Sequence, residues 1–379
     1  MNPIQILPEY FIVLLPIIFG CLTIFLVTAT INIMFGPFLY KAKELDSREK
    51  ISVLVPARNE ERNIEILIKS ILNQKYPNYE LIVLDDNSSD NTYDIAAKYI
   101  DNPKFKLLRG TNLPNGWLGK NYACQCLADA ATGEYLIFTD ADNYHDINAL
   151  SKTVSMMKRY NLDMLSAFPQ QKTISFYEKL IIPLIDVIIY SGLILWTTYH
   201  LKSSAFAAAN GQWIAFRKKL YQEIGGHAAV KDKIVEDVEL SRIAKKSKAK
   251  IMTASGKDLI FGRMYNSLNE IWEGLSKNIY GLTNFETIPF FVLTLLIFLA
   301  CILPYFMLLS KTLFEFALVA VLINSVWRFL LAVRYSHNIF ISVFLHPISM
   351  ILLILIGFNS FYRSTFKTLR WKGRDIKIK

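Results

Sequence analysis

Two acidic clusters carry the strongest chemical signal in the chain. Asp85 and Asp86 close the run LIVLDD, and Asp140 and Asp142 close YLIFTDAD. Each cluster follows an apolar, strand-like stretch, so both are expected at the carboxyl edge of a parallel sheet, the edge on which open α/β folds bind ligands. Carboxylates there can accept from a ribose or base and can ligate a hard divalent cation. Together the clusters read as a nucleotide and metal site.

The elements that must position them follow from periodicity. Ile51 to Pro56 (ISVLVP) is a buried-strand run, and Ile64, Leu67, Ile68, Ile71 and Leu72 recur behind it at helical spacing. Tyr79 to Leu84 forms a second strand that ends in the first acidic pair, and Asn87-Ser88-Ser89-Asp90 supplies turn and cap chemistry for a helix reaching Ala97. A third strand passes through Leu107, a helix covers about Tyr122 to Ala131, and Tyr135 to Thr139 is the fourth strand. Strands alternating with helices predict an α/β fold whose sheet is mostly parallel and covered on both faces.

With these elements in place, five blocks resemble the family 2 glycosyltransferases, which have the GT-A fold and use nucleotide-sugar donors. They are VLVPARNEE at Val53 to Glu61, LDDNSSDNT at Leu84 to Thr92, GWLGKNYA at Gly116 to Ala123, TDAD at Thr139 to Asp142, and GQWIAFRKKLYQEIGGH from Gly211 followed by IVEDVEL at Ile234 to Leu240. The resemblance runs from Ser52 to Tyr280, about three fifths of the chain. One DxD is weak on its own; five blocks in family order are not. The flanking apolar segments and the terminal WKGR resemble a bacterial subgroup that glycosylates carotenoids such as diaponeurosporenoate or works beside hopanoid pathways.

The resemblance implies roles. Asp85 and Asp86 match the position that recognises base and ribose, with Pro56, Ala57 and Glu60 in the loop on the same edge. A nucleoside diphosphate leaves only when its charge is neutralised, which a divalent ion such as Mg2+ or Mn2+ with oxygen ligands can do. Asp142 is the expected metal ligand, with Asp140 on the ribose or on the metal through water. Asp237 matches the base that removes the acceptor proton, Glu236 shapes the site beside it, and Lys120 and Arg58 are candidates for phosphate oxygens. Each has a plainer reading: Asp86 as a turn former, the TDAD acids as helix caps, Glu236 and Asp237 as the acidic start of a helix, the basic residues as solvated.

Processive polysaccharide synthases carry QxxRW after the base, whereas this chain reads GRMYNSLNEIWEGLSKNIY. Arg263 and Trp272 are present in another arrangement, which argues for transfer of a single sugar, with Arg263 a diphosphate contact and Trp272 on a helix at the membrane edge. Trp213 either stacks on the acceptor or packs in the core. Two rivals stand beside this reading. One is a membrane transporter or scaffold with a nucleotide-binding domain; the other is a nucleotidyltransferase, which would cleave a nucleoside triphosphate. No GxxxxGK[ST] occurs, so a P-loop ATPase is excluded.

Composition sets the frame. At 379 residues, 53% of them apolar, and a mean hydropathy of +0.28, the chain can hold one α/β domain and several membrane spans. The expected division is a membrane anchor over 1–45, the α/β domain over 46–285 with an apolar insertion at 180–201, membrane segments over 286–362 and a basic tail over 363–379. The first apolar stretch, Tyr10 to about Tyr40, has no basic leader and no cleavage site, so it reads as a retained anchor. Lys41, Lys43, Arg48 and Lys50 follow it and place the domain in the cytosol by the positive-inside rule. After the domain come Ile288 to Leu309, Phe316 to Val333 and Phe340 to Phe361. A cytosolic tail requires an even number of crossings there, so two spans and one shallow segment are expected, the middle one being suspect because it carries Asn324 and Arg328. The insertion Leu180 to Leu201 reads either as an interfacial helix or hairpin presenting a lipid acceptor, or as a buried domain helix. Cys21, Cys124, Cys126 and Cys301 lack metal spacing. The net charge of +10 is concentrated near the membrane segments and the tail, which suits anionic headgroups better than nucleic acid. The expected protein is a multi-pass enzyme of the cell membrane that takes a uridine diphosphate sugar as donor.

Overall fold

The computed structural model describes residues 12–43, 48–366, 369–371 and 374–376, the last two as backbone. Much of the basic tail therefore lies outside the described residues, as do Tyr10, where the anchor reading begins, and residues 44–47. The chain divides into two compact units, one of residues 36–172 and 195–264, the other of 1–35, 173–194 and 265–379.

The first unit is the α/β domain. Its strands are β1 (Ile51–Ala57), β2 (Tyr79–Asp85), β3 (Phe105–Arg109), β4 (Tyr135–Thr139), β5 (Asn143–His145), β6 (Met164–Phe168), β7 (Gln170–Gln171), β8 (Trp213–Arg217), β9 (Ile251–Ser255) and β10 (Ile260–Gly262). Seven of them form one sheet in the order β3-β2-β1-β4-β8-β6-β9, and β5-β10-β7 form a second. Only β8 runs against its neighbours in the large sheet. The sheet is buried on both faces, which is why β1 and β4 read as continuous apolar runs and not as alternating ones. Helix Ile64–Leu72 packs Ile64, Leu67, Ile68 and Ile71 against one face, and Gly119–Ala130 packs Ala123, Cys124 and Leu127 against the other.

Gly133, in the turn entering β4, is fixed by proximity. Its N–H donates to Ser52 Oγ at 2.8 Å, and a Cβ there would lie 2.6 Å from Ser52 N and 2.8 Å from Ile51 C. Backbone cannot yield as a side-chain tip can, so Gly133→Ala is expected to cost roughly 1–3 kcal/mol by overpacking. A thermal melt of the purified protein checks this: a lowered Tm is expected, and an unchanged Tm would refute the crowding.

The second unit is helical. Leu15–Phe35, Thr287–Met307, Phe314–Tyr335 and His346–Phe366 are each long and apolar enough to cross a bilayer. By length and composition the middle segment after the domain is like its neighbours. Its polar residues turn inward: Asn324 Nδ2 donates to Ala300 O at 3.0 Å, and Arg328 is 1% exposed.

The insertion is helical over much of its length. A capping box at Ser175, closed by Glu178, starts helix Phe176–Ile181, and Pro183–Gly192 continues it. Residues 173–194 belong to the helical unit, stitched to it by polar contacts. Asn32 Nδ2 donates to Tyr190 O and Leu193 O at 2.8 and 2.7 Å, Trp327 Nε1 donates to Ser191 Oγ at 2.9 Å, and Asp186 Oδ2 lies 2.8 Å from His337 Nε2. From Leu195 onward the chain returns to the α/β unit, where Trp196 and Tyr199 pack edge-on against Tyr160. The compact α/β unit thus ends near Met264, short of the expected limit at 285. The apolar composition of the insertion could not reveal the change of unit, because a buried domain helix and a bundle helix share it.

Candidate active site

The loops after β1 and β2 are tied to each other, which explains why VPARNE and DDNSSDNT occur together. Asn59 N donates to Ser88 Oγ at 2.9 Å, Ser89 N to Asn59 Oδ1 at 2.9 Å, and Glu60 N to Thr92 Oγ1 at 2.7 Å. Asn59 and Asn87 both adopt left-handed backbone, with φ of 53° and 52°, a conformation asparagine tolerates better than most residues. Arg58 is turned toward the acidic pair, its Nη1 donating to Asp86 O at 2.5 Å. Asp85 and Asp86 are both buried; Asp85 Oδ2 accepts from Ser88 N at 3.2 Å, while Oδ1 has no partner. A buried carboxylate oxygen without a donor is costly, and a ligand hydroxyl or N–H would satisfy it.

The second carboxylate group gathers where β4 meets β8. Thr139 pairs with Trp213, so the strand ends bring Asp140 beside Gly211, and helix Glu236–Lys246 starts next to both. Lys120 Nζ bridges the cluster, 2.9 Å from Asp140 Oδ1 and 3.0 Å from Glu236 Oε1. Burial works against its charge, yet the two carboxylates outweigh it and hold the ammonium well above the usual lysine range. Asp237 Oδ2 accepts from Gly211 N at 2.7 Å and Oδ1 from Val238 N at 2.8 Å. Burial first, and then the neighbouring Glu236 charge, push its carboxyl up to about 7, against the opposing pull of Lys120 and of the two amides. Pro56, Lys120, Asp140, Gly211, Glu236 and Asp237 line one small recess of about 10 Å³. That is room for a single water, so a sugar must bind outside it or displace Lys120.

Several supporting residues carry no motif signal. Asn121 Nδ2 donates to Val230 O and Lys233 O at 2.8 and 2.9 Å, clamping the segment before Glu236. Asn143 and Gln212 pair reciprocally: Asn143 Nδ2 donates to Gln212 O at 2.7 Å and Gln212 Nε2 to Asn143 Oδ1 at 3.2 Å. This links the Asp140–Asp142 turn to Gly211, and hence to Asp237. His227, buried beneath the recess, lies 2.7 Å through Nδ1 from Tyr221 OH, and burial, aided by Lys120, lowers its pKa to about 3. It is neutral at working pH.

Not every expected residue joins the site. Trp213 is a correction: it is fully buried, its Nε1 donates to Thr153 Oγ1 at 3.1 Å and its ring packs 4.7 Å from His145. It has no free face for an acceptor, since inward alternation along β8 points it into the core. Trp272 lies half-buried on helix Leu268–Asn278 of the helical unit and is not among the residues gathered here. Arg263 follows β10 in the α/β unit and is half-buried. Lys120, Asp140, Glu236 and Asp237 are brought together; Pro56 lines the same recess, and Ala57 O accepts from Asp86 N at 2.7 Å.

Among the described residues no group of three His, Cys, Asp or Glu could by itself hold a metal. The donor set at the β4–β5 turn is two carboxylates, hard oxygens suited to an ion that takes one or two protein ligands and completes its shell with phosphate and water. Asp140 and Asp142 fit that requirement.

Residues 52–193 match the family described as Glycosyl transferase family 2. The chain is 27% identical over 351 residues to 4,4'-diaponeurosporenoate glycosyltransferase of Staphylococcus haemolyticus, covering 89% of this chain and 92% of that protein. It is 33% identical over 115 residues to an Escherichia coli UDP-Glc:alpha-D-GlcNAc-diphosphoundecaprenol beta-1,3-glucosyltransferase, covering 30% of this chain and 44% of that protein. Among solved structures it resembles a Pyrobaculum calidifontis mannosyltransferase in complex with GDP-Man and Mn2+, with a TM-score of 0.58, 17% identity and 94% and 97% of the two chains covered. That likeness is one of fold, and the fold is GT-A.

Proposed function

The chain carries a family 2 glycosyltransferase domain, and on that premise we propose that it moves a single sugar from a nucleotide-sugar donor to a lipid acceptor, with inversion at the anomeric carbon. The observation that carries this reading is Asp237, held by two backbone amides in a carboxylate-rich recess with its pKa brought to about 7. A base of that pKa is half-ionised near neutral pH, where proton abstraction from an alcohol is best matched.

In the proposed reaction Asp237 takes the acceptor O–H proton as that oxygen attacks the anomeric carbon from the face opposite the diphosphate. The bond from anomeric carbon to diphosphate oxygen breaks, and its electron pair leaves with the nucleoside diphosphate. Lys120, charged at working pH, is placed to meet developing negative charge once a donor draws it from Asp140 or Glu236. Asp140 and Asp142 would hold Mg2+ or Mn2+, which when bound neutralises the leaving diphosphate. Asp85, Asp86 and the loop from Pro56 to Glu60 would receive the nucleoside, a uridine diphosphate sugar being the proposed donor. Arg263 remains a proposed diphosphate contact.

The lipid acceptor and the membrane location rest on the four apolar helices and on relatives named for 4,4'-diaponeurosporenoate and for alpha-D-GlcNAc-diphosphoundecaprenol. We place the α/β domain on the cytosolic side, where Lys41, Lys43, Arg48 and Lys50 would be retained.

The pH profile tests the base. With an alcohol acceptor, kcat/KM is expected to be flat above about pH 7 and to fall tenfold per pH unit below it, because the protonated carboxyl cannot accept a proton. Glu236→Gln removes the neighbouring negative charge that raises this pKa, so the inflection should move to lower pH. A profile unaffected by that substitution would exclude Asp237 as the titrating group.

A further inference from the structure

The helical unit holds a buried polar cluster that sugar transfer does not use. Arg328 lies on helix Phe314–Tyr335, 1% exposed, seven residues from Tyr335 and so about 10 Å from the helix end. Its Nε donates to Ser342 O at 3.2 Å, while Nη1 has no partner among the described residues. Three more buried polar atoms close by also lack partners: Ser342 Oγ on helix Ile339–Phe344, His346 Nδ1 at the start of helix His346–Phe366, and Tyr305 OH on helix Leu303–Met307. The Tyr305 and His346 rings are 6.4 Å apart, and the Arg328 charge reaches both.

The chemistry of the four atoms is defined. The guanidinium is always charged, and among the described residues it has no carboxylate at ion-pair distance. Asp186, the acid within electrostatic range, is instead held by His337 at 2.8 Å. Asn324 donates through Nδ2 to Ala300 O, so its Oδ1 accepts from His346 Nε2 at 3.1 Å. That fixes His346 Nδ1 as an acceptor. One cationic donor, two hydroxyls and one acceptor thus lie on four helices of this unit, with the Arg328 charge acting on Tyr305 and His346. In a span of this depth each unmet polar group is expensive, and an uncompensated cation most of all.

We propose that this cluster is a binding site for the oxyanion head, a carboxylate or a phosphate, of an amphiphile drawn from the bilayer. The anion would accept from Arg328 Nη1 and from the Ser342 hydroxyl, and the single Tyr305 O–H would donate either to the anion or to His346 Nδ1. An arginine fork suits either head. A small aqueous anion would have to give up its hydration to enter; an amphiphile offsets that cost by burying its chain. This site does not depend on the glycosyl-transfer reading and is not assigned to the acceptor.

The test is binding to the full-length protein in nanodiscs, by native mass spectrometry and thermal shift, with oleate, monododecyl phosphate and the neutral oleyl alcohol as probes. Wild type should bind one or both anions and be stabilised by them over the alcohol; oleate alone marks a carboxylate site, the phosphate alone a phosphate site. Arg328→Met should weaken the preferred anion about tenfold to hundredfold, the loss expected for a charge-assisted hydrogen bond, and Arg328→Lys should restore part of it. If Arg328→Met does not fold, Ser342→Ala serves, with a loss of several-fold expected. Equal binding of the alcohol, or anion binding unchanged in these variants, would overturn the proposal. So would an Arg328→Met protein with a raised Tm and the wild-type ligand profile, the behaviour of an arginine satisfied by buried water alone.

Discussion

Asp237→Asn is expected to lower turnover to an alcohol acceptor by roughly 10²- to 10⁴-fold while leaving donor affinity within a few-fold of wild type. Asparagine keeps the size of the side chain and can still accept from Gly211 N, which holds Oδ2 at 2.7 Å, so the recess should persist. What is lost is the proton acceptor. Donor binding by fluorescence or calorimetry, set beside single-turnover rates, separates the two effects. A variant that turned over normally would remove Asp237 from the reaction; one that lost donor binding in proportion to rate would make it a structural residue. The acceptor adds a further distinction, because a lipid carboxylate arrives without a proton to give and should be far less sensitive to this substitution than a lipid alcohol.

Asp142→Asn should depress transfer by about 10²-fold or more, and chelation should abolish it, since neutralising the departing diphosphate is worth several kcal/mol. Restored Mn2+ or Mg2+ should recover the chelated wild type and not the variant. Full activity in excess chelator would leave the diphosphate charge to side chains such as Lys120 and Arg263 and would dismiss the metal. The contrast with Asp86→Ala is informative: that change should raise the donor KM and leave the chemical step of bound donor largely intact, because Asp85 and Asp86 stand at the end of β2 while Lys120, Asp140 and Asp237 form the other group.

The sequence was most legible where chemistry sits at strand ends. β1, β2 and β4 were visible as apolar runs, and the acids at the ends of β2 and β4 stand at the edge of the sheet as the alternation of strand and helix required. Less was visible wherever the outcome hangs on a partner distant in sequence. Trp213 could have faced a ligand or the core, and only its contacts with Thr153 and His145, distant in sequence, decided it. Lys120 looked like a phosphate contact; its bridge reaches Asp140, 20 positions on, and Glu236, 116 positions on, and has no local signature. The reciprocal Asn143–Gln212 pair is hidden for the same reason. Pro183–Gly192 reads as apolar helix in any setting, and its place in the helical unit is revealed by Asn32, His337 and Trp327, residues from three other stretches of chain.

The central claim is transfer of one sugar to a lipid, and the mass of the product tests it most directly. Full-length wild type and Asp237→Asn protein, each reconstituted with bilayer lipid, a lipid alcohol acceptor, Mn2+ and a uridine diphosphate hexose, would be followed by mass spectrometry of the extracted lipid. The account predicts a new lipid heavier by a single hexose, formed by wild type and lost from the variant, with nucleoside diphosphate released in equal amount. A ladder of products carrying two or more sugars, or diphosphate released with no glycosylated lipid, would contradict it.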